Sequence, residues 1–325
     1  MTIKNTQKSK IAEDLEHKHY GVFNHSAVEI CEWNKKALRG QGHCYKQKFY
    51  NVDCHRCAQI TPTVIWCHQK CIFCWRPSEY MSKHKLTGNI DKPKEIIDRL
   101  FELRKKLLSG FGGYKKTKKK MYEESLIPSH VAISLSGEPT IYPYLGEMIR
   151  YLKSKKEIKS IFIVTNGMEP KNIEKLAKEK SLPTQLYLSI VAPNEQLHIK
   201  INKPKIKDSW KILQTTISLM AKLKCRRVVR FTLIKGINDD PKYLKDYVKL
   251  FEKTNADFIE IKAYMCLGYS RKTLTLENMP RHEECKRFAE EFEKLSEKYK
   301  ISDECETSRI VLLKNKKSKY KNFIK

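Results

Sequence analysis

The chain has 325 residues, 40% hydrophobic and 31% charged; that composition excludes a disordered tail, a collagen-like repeat and a coiled coil, and the length suffices for a large core in one or two domains. Lys and Arg number 65 against 37 Asp and Glu, a net charge of +28 that concentrates polyanions, nucleic acid above all, although a generally lysine-rich surface gives the same count. No apolar run approaches the roughly 18 residues of a membrane span, and Met1–Lys10 lacks the apolar stretch of a secretion signal, so a cytoplasmic protein without membrane contact is expected.

Residues 1–60 show no strand–helix rhythm and carry Cys31, Cys44, Cys54 and Cys57 at wide spacing; they read as a cap organised by a metal centre. Across residues 61–314, β-branched runs alternate with amphipathic stretches, the pattern of parallel strands joined by crossover helices. The predicted strands are Thr63–Trp66, Val131–Leu135, Ile161–Thr165, Leu186–Val191, Val228–Ile234 and Phe258–Ala263, with Arg309–Lys314 as an added edge strand. Asp91 and Pro93 open a helix whose apolar residues recur at helical spacing from Ile96 to Leu108, with Gly110 as its end; later helices start near Tyr144, Pro170, Asp208 and Pro241. Six βα units are too few to close an eight-stranded barrel, so an α/β fold is expected, a partial (βα)6 TIM-like barrel with its site at the C-terminal ends of the strands. Lys115–Lys120 has five lysines in six residues, and the basic tail of residues 315–325 extends a run from Lys314 with six lysines and no acid. Each reads as an arm for a phosphate backbone or as a solvated loop and tail. No internal repeat is present.

Seven of the eleven cysteines fall in the first quarter of the chain. An odd count without a secretion signal points to metal or cluster ligation rather than disulfides. Cys225, Cys266, Cys285 and Cys305 are scattered and read as ordinary buried thiols. Cys67, Cys71 and Cys74 form CxxxCxxC after the first predicted strand, so three thiolates can converge from one loop. Spacing alone leaves zinc open, with His68 or Cys57 as a fourth ligand.

The loop resembles the CxxxCxφC signature of the radical S-adenosylmethionine (SAM) superfamily, with Phe73 at the aromatic position, and Ser136-Gly137-Glu138-Pro139-Thr140 after the second strand resembles its Gly-Glu-Pro element. The resemblance implies a [4Fe–4S] cluster on the three cysteines whose open iron chelates SAM, and reductive cleavage to a 5′-deoxyadenosyl radical that abstracts hydrogen from an unreactive carbon. It implies SAM contacts from Phe73, Gly137, Glu138, Pro139 and Thr140, and from Asn166 and Ser189 at the next two strands. Arg230, inside the fifth strand, needs a carboxylate or phosphate partner and is expected to bind substrate, a structural ion pair being the alternative.

Further segments narrow the family. Gly42–Tyr50 through Cys57 to Cys74-Trp75-Arg76-Pro77, Lys200–Pro204, Phe231–Gly236, Asp257–Lys262 and Asn278–Glu284 look like the tRNA 4-demethylwyosine synthase family over roughly residues 20–314. This resemblance implies a second [4Fe–4S] cluster on Cys31, Cys44 and Cys57, with Cys54 a spare thiol or a competing ligand. It also implies pyruvate as second substrate, engaged by Lys46 as a cation or Schiff-base amine. The implied reaction removes hydrogen from the N1-methyl group of N1-methylguanosine-37 in tRNA(Phe), adds the C2–C3 unit of pyruvate, and closes the tricyclic base, which must be splayed from the anticodon loop. Family members often carry an aspartate where this chain has Val191. Eukaryotic members carry a flavodoxin-like domain for which the first 60 residues leave no room, so a separate ferredoxin or flavodoxin is the expected electron donor, to a monomeric enzyme of archaeal type.

Overall fold

Hydrogen bonding between β-branched runs builds one ten-stranded sheet in the computed structural model, which describes residues 6–81 and 83–324. Met1–Asn5 of the expected cap and Lys325 of the basic tail lie outside the described residues. The chain opens with α1 (Thr6–His17), a hairpin of β1 (Tyr20–Phe23) and β2 (Ser26–Glu29), and two short helices, α2 (Glu32–Leu38) and α3 (Tyr45–Tyr50), before β3 (Cys57–Thr61). Next, α4 (Pro93–Gly112) and α5 (Lys119–Ser125) lead to β4 (His130–Ile133), α6 (Leu145–Ser154) to β5 (Ser160–Thr165), and α7 (Pro170–Lys178) to β6 (Gln185–Ser189). Then α8 (Glu195–Asn202) and α9 (Ser209–Met220) precede β7 (Arg226–Leu233), α10 (Leu244–Lys253) precedes β8 (Phe258–Ala263), and α11 (His282–Leu295) precedes a closing hairpin of β9 (Tyr299–Cys305) and β10 (Ile310–Asn315).

Strands β3 to β8 pair in parallel and in sequence order, the six-strand partial barrel that the alternating pattern implies. Antiparallel hairpins extend both edges. Three sequence expectations change. The first barrel strand is Cys57–Thr61, six residues before the β-branched Thr63–Trp66: Pro62 breaks the ladder, and the Thr61 and Thr63 hydroxyls donate instead to the carbonyls of Ser136 and Glu138 at 2.6 and 2.9 Å. The expected division at residue 60 therefore falls inside β3, and the β1–β2 hairpin belongs to the same sheet as the barrel. Strand β10 is not an edge; it lies between β8 and the charged β9, whose polar sequence suits an exposed edge. Finally, α4 continues through Gly110 to Gly112.

The outward face of the strands meets the helices. Ile133, Ile161, Ile163 and Leu186 pack on α4 and α6, and Val229, Phe231 and Ile259 on α9 to α11. The inward face is filled at its N-terminal end by α3: Tyr45, Phe49 and Tyr50 pack against Ala132, Phe162, Tyr187, Val228 and Phe258. Above this plug the inward residues Gln59, Val164, Ser189, Arg230, Thr232 and Lys262 retain partial exposure and line a hollow.

The lysine-rich segments part company. Lys115, Lys116, Lys118, Lys119 and Lys120 are exposed. The tail is no free arm: buried Arg226 donates to the carbonyls of Lys321 and Asn322 at 2.6 and 2.8 Å and to Gln185 Oε1 at 2.8 Å, the Ile324 amide donates to the Tyr50 carbonyl at 3.0 Å, and Tyr320 and Ile324 pack under the plug. Arg226→Met is expected to lower stability by about 2–3 kcal/mol and to speed tryptic cleavage at Lys317, Lys319 and Lys321. Equal cleavage rates in the two proteins would refute the latch.

Candidate active site

The cysteine loop leaves β3 through Pro62–Trp66 and is held from three sides. The Cys67 amide donates to the Lys83 carbonyl at 3.0 Å, Lys70 and Ile72 amides donate to the carbonyls of Asn202 and Ile201 at the end of α8, and Lys205 reaches back to Cys67 O with Nζ at 3.2 Å. His68 pairs with Glu169 at 2.8 Å. Phe73 and Ile72 pack against a buried cluster that includes Ile201, Tyr264 and Val191. Val191 is thus a core residue, with its carbonyl accepting from Asn238 Nδ2 at 2.9 Å.

The three thiols are half-buried and crowd one another. Burial first, then Glu138 and Cys74, push Cys67 up to about 12; burial, then Cys67 and Cys74, hold Cys71 well above the usual thiol value. A bound cation reverses that balance and deprotonates coordinating thiols. Side-chain amides stand ready for thiolates: Asn166 Nδ2 donates to Cys67 Sγ at 3.6 Å, and Cys71 Sγ lies 3.4 Å from Gln69 Oε1 and 3.5 Å from Asn202 Oδ1, where an amide flip presents NH2 groups. This donor set fits a cluster bound by Cys67, Cys71 and Cys74. Among the described residues no three His, Cys, Asp or Glu side chains converge on a single ion; thiols that each hold a separate iron do not have to.

Gly137-Glu138-Pro139-Thr140 braces this loop. Gly137 has φ +69°, and a Cβ there would stand 1.7 Å from Thr63 O and 2.7 Å from Trp66 O, so the close approach its glycine permits is to the chain's own backbone. The Glu138 carboxylate, 2% exposed, is also turned inward to the protein: it accepts from Thr140 N, Thr140 Oγ1 and Thr165 Oγ1 at 3.0, 2.6 and 2.7 Å and from Asn166 N at 2.7 Å. It fastens β4 to β5 and fixes Asn166 beside Cys67. Pro139 and Thr140 begin the 3-10 turn that follows.

A second group of thiols lies at the other end of the hollow. Cys31 and Cys44 cap the N-termini of α2 and α3, and Cys57 opens β3. Burial, then Cys57 and Cys44, raise Cys31 to about 12, whereas the Cys54 side chain, with Lys46 nearby, pulls Cys44 down to about 7. Cys54 is 2% exposed and itself pushed far up, first by Cys44; its Sγ accepts from the Cys44 amide at 3.4 Å and its thiol donates to the Trp33 carbonyl at 3.4 Å. Behind the group, Arg104 of α4 is 1% exposed and donates to the Cys57 carbonyl at 3.2 Å. Of the scattered cysteines, Cys225, Cys266 and Cys285 are buried as expected and Cys305 is half-buried.

Lys46 rises from α3 into the barrel, its Nζ 4.5 Å from the Phe162 ring centroid and 5.2 Å from that of Tyr187. Ser189 follows Tyr187 one inward step along β6 and is register partner to Arg230. Arg230 is not a free cation for substrate: Glu260, fully buried on the adjacent strand, pairs with it at 2.5 Å, and its Nη2 donates to the Tyr45 hydroxyl. Sequence reasoning missed Glu260, Tyr45, Asn202, Lys205 and Lys262, all of which depend on register between distant segments. Lys262 donates to the Ser308 carbonyl at 2.6 Å, and burial first, then Arg230, lowers it to about 8.

Comparison with known proteins decides the family. A model described as Wyosine base formation matches residues 253–315, and one described as Radical SAM superfamily matches residues 61–248. The S-adenosyl-L-methionine-dependent tRNA 4-demethylwyosine synthase of Pyrococcus horikoshii is 44% identical over 94% of this chain and 88% of its own length. The chain belongs to the tRNA 4-demethylwyosine synthase family. The Methanocaldococcus jannaschii member is 38% identical over 95% of this chain and 97% of its own. A solved structure of TYW1 with a lysine–pyruvate adduct bound superposes with a TM-score of 0.86 at 36% identity, covering 97% of this chain and 98% of that one. As a member of this synthase family the chain is a radical SAM enzyme of wyosine formation that uses SAM and a [4Fe–4S] cluster, and no helix among the described residues is long and apolar enough to cross a membrane.

Proposed function

We propose that the chain converts N1-methylguanosine-37 of tRNA(Phe) to 4-demethylwyosine, taking the C2–C3 unit from pyruvate. The observation that carries this reading is the Lys46 amine inside the barrel, near the Cys44 and Cys57 thiols and facing a hollow whose far end is the Cys67–Cys74 loop. A related structure holds a lysine–pyruvate adduct, which supports assigning that role to Lys46 here. When bound, the cluster on Cys67, Cys71 and Cys74 supplies with SAM an organic radical able to take hydrogen from a methyl group.

The chain's own residues hold and orient. Lys46 captures pyruvate as an imine at its carbonyl carbon, the carbonyl oxygen leaving as water, Phe162 and Tyr187 form an aromatic floor beneath the amine, and Arg230, paired with Glu260, holds Tyr45 of α3 in place. Cys31, Cys44 and Cys57 hold a second [4Fe–4S] cluster, and Cys54 is a spare thiol whose Sγ accepts from the Cys44 amide. Phe73, Asn166, Ser189 and the Gly137–Thr140 brace shape the SAM site. A separate ferredoxin or flavodoxin supplies the electron to a monomer, and the +28 charge draws in the tRNA.

Anaerobically reconstituted protein is expected to carry about eight irons, falling to about four in Cys31→Ala and staying at about eight in Cys54→Ala; about four in the unaltered protein would remove the second cluster. With N1-methylguanosine-containing tRNA(Phe), SAM, dithionite and labelled pyruvate, nucleoside mass spectrometry should find label in a tricyclic base. Lys46→Ala should lower that product by at least about 1,000-fold while 5′-deoxyadenosine still forms. Unchanged product from Lys46→Ala would remove Lys46 from the mechanism.

A further inference from the structure

The segment that leaves the cysteine loop, Cys74-Trp75-Arg76-Pro77, forms one wall of a groove of about 320 Å³, the low end of the range for small-ligand clefts. Its other walls are the β1–β2 hairpin, through Tyr20, and the loop after β8, through Tyr269 and Lys272. The walls are pinned backbone to backbone: the Tyr269 amide donates to the Trp75 carbonyl at 3.1 Å, and Gly268 has φ +50° with space for no Cβ, which would stand 2.2 Å from that carbonyl. The groove is therefore built by segments almost two hundred residues apart.

Its surface has two properties that packing does not require. Trp75 is a large aromatic left 45% exposed, and its indole lies on the Arg76 guanidinium with Cζ 3.6 Å from the ring centroid. Arg76, 6% exposed, spends Nη1 on Tyr20 Oη at 2.9 Å and Glu29 Oε2 at 2.6 Å, but its buried Nη2 has no partner, and neither has the buried Oε2 of neighbouring Glu79. Both atoms are shut off from solvent, so the groove itself offers the exposed aromatic plate with a cation behind it. Lys18 and exposed Lys272 stand at its rim, and Lys70, Lys83 and Lys85 of the cysteine-loop region are exposed as well.

We infer that this groove receives one unstacked nucleobase of single-stranded RNA, stacked on the free face of Trp75 opposite Arg76, with its phosphates near Lys18 and Lys272. The inference rests on the tRNA reading and adds a contact outside the barrel: an anticodon-loop base other than the one entering the hollow. A flat π-face and a flanking anion match the exposed indole and the rim lysines, and a cation behind the indole strengthens the stack. An acidic peptide would satisfy the lysines but not the exposed plate.

The test measures binding of a tRNA(Phe) transcript by full-length holoprotein at one fixed salt concentration, with Trp75→Ala and Trp75→Phe. Base–aromatic stacking of about 1–3 kcal/mol predicts that Ala weakens binding about 5- to 150-fold while Phe, which keeps a π-face, restores most of it. An abasic site scanned through the anticodon loop should weaken the unaltered protein at one position where it costs Trp75→Ala nothing. Equal affinity of Trp75→Ala and the unaltered protein, or a loss that Phe does not restore, overturns the nucleobase site while the tRNA reading stands. Failure of the unaltered protein to bind tRNA overturns that reading itself.

Discussion

The ion pair between Arg230 and Glu260 inside the barrel governs where Lys46 stands. Glu260 is fully buried, and a lone carboxylate there would be costly, so it requires both Arg230 at 2.5 Å and the Tyr50 hydroxyl at 2.6 Å. Arg230 in turn donates to Tyr45. Tyr45 and Tyr50 are the first and last residues of α3, a helix of six residues that could not persist on its own. Satisfying one buried charge therefore docks the whole helix on the concave face of the sheet. Cys44 at its N-cap and Lys46 in its first turn are placed as a consequence.

From that anchor the molecule organises as a tube stoppered at one end. The tail, drawn in by Arg226, lies beneath α3 and shuts the N-terminal end of the strands. At the C-terminal end the Glu138 brace and the end of α8 hold the cysteine loop across the mouth. The space between has polar inward residues, Gln59, Ser189, Thr232 and Lys262, where a closed barrel would pack branched aliphatic side chains. Two thiol groups with a lysine between them follow from this arrangement rather than from any local motif.

The sequence made the parallel strands legible because β4 to β8 are short runs rich in β-branched and other apolar residues, largely buried on both faces. It misplaced β3, since Thr63–Trp66 is as β-branched as a strand and nothing local reveals that the threonine hydroxyls serve the neighbouring loop. It missed β9 because Tyr299–Cys305 carries Ser302, Asp303 and Glu304 in succession, with no residue after Tyr299 fully buried. The cysteines of the site were visible through their number and spacing. Glu260, Lys262 and Asn202 were not, because their roles arise only when register sets them opposite Arg230, Ser308 and Cys71. Arg230 illustrates the difference: its need for a partner could be read from the chain, but the partner's identity required the sheet.

Among the described residues, Lys46 and Lys262 present amines to the barrel interior, and they provide the most direct measurement. Lys262 is the one held at about 8, and that value alone would favour it as a Schiff-base former; yet its Nζ is tied to the Ser308 carbonyl, whereas Lys46 stands over two aromatic rings at the plugged end of the hollow. Borohydride reduction of the protein with pyruvate, followed by peptide mapping by mass spectrometry, reports which amine bears the three-carbon acid. The account predicts modification at Lys46 with Lys262 unmodified. Modification at Lys262, or at neither residue, would contradict it.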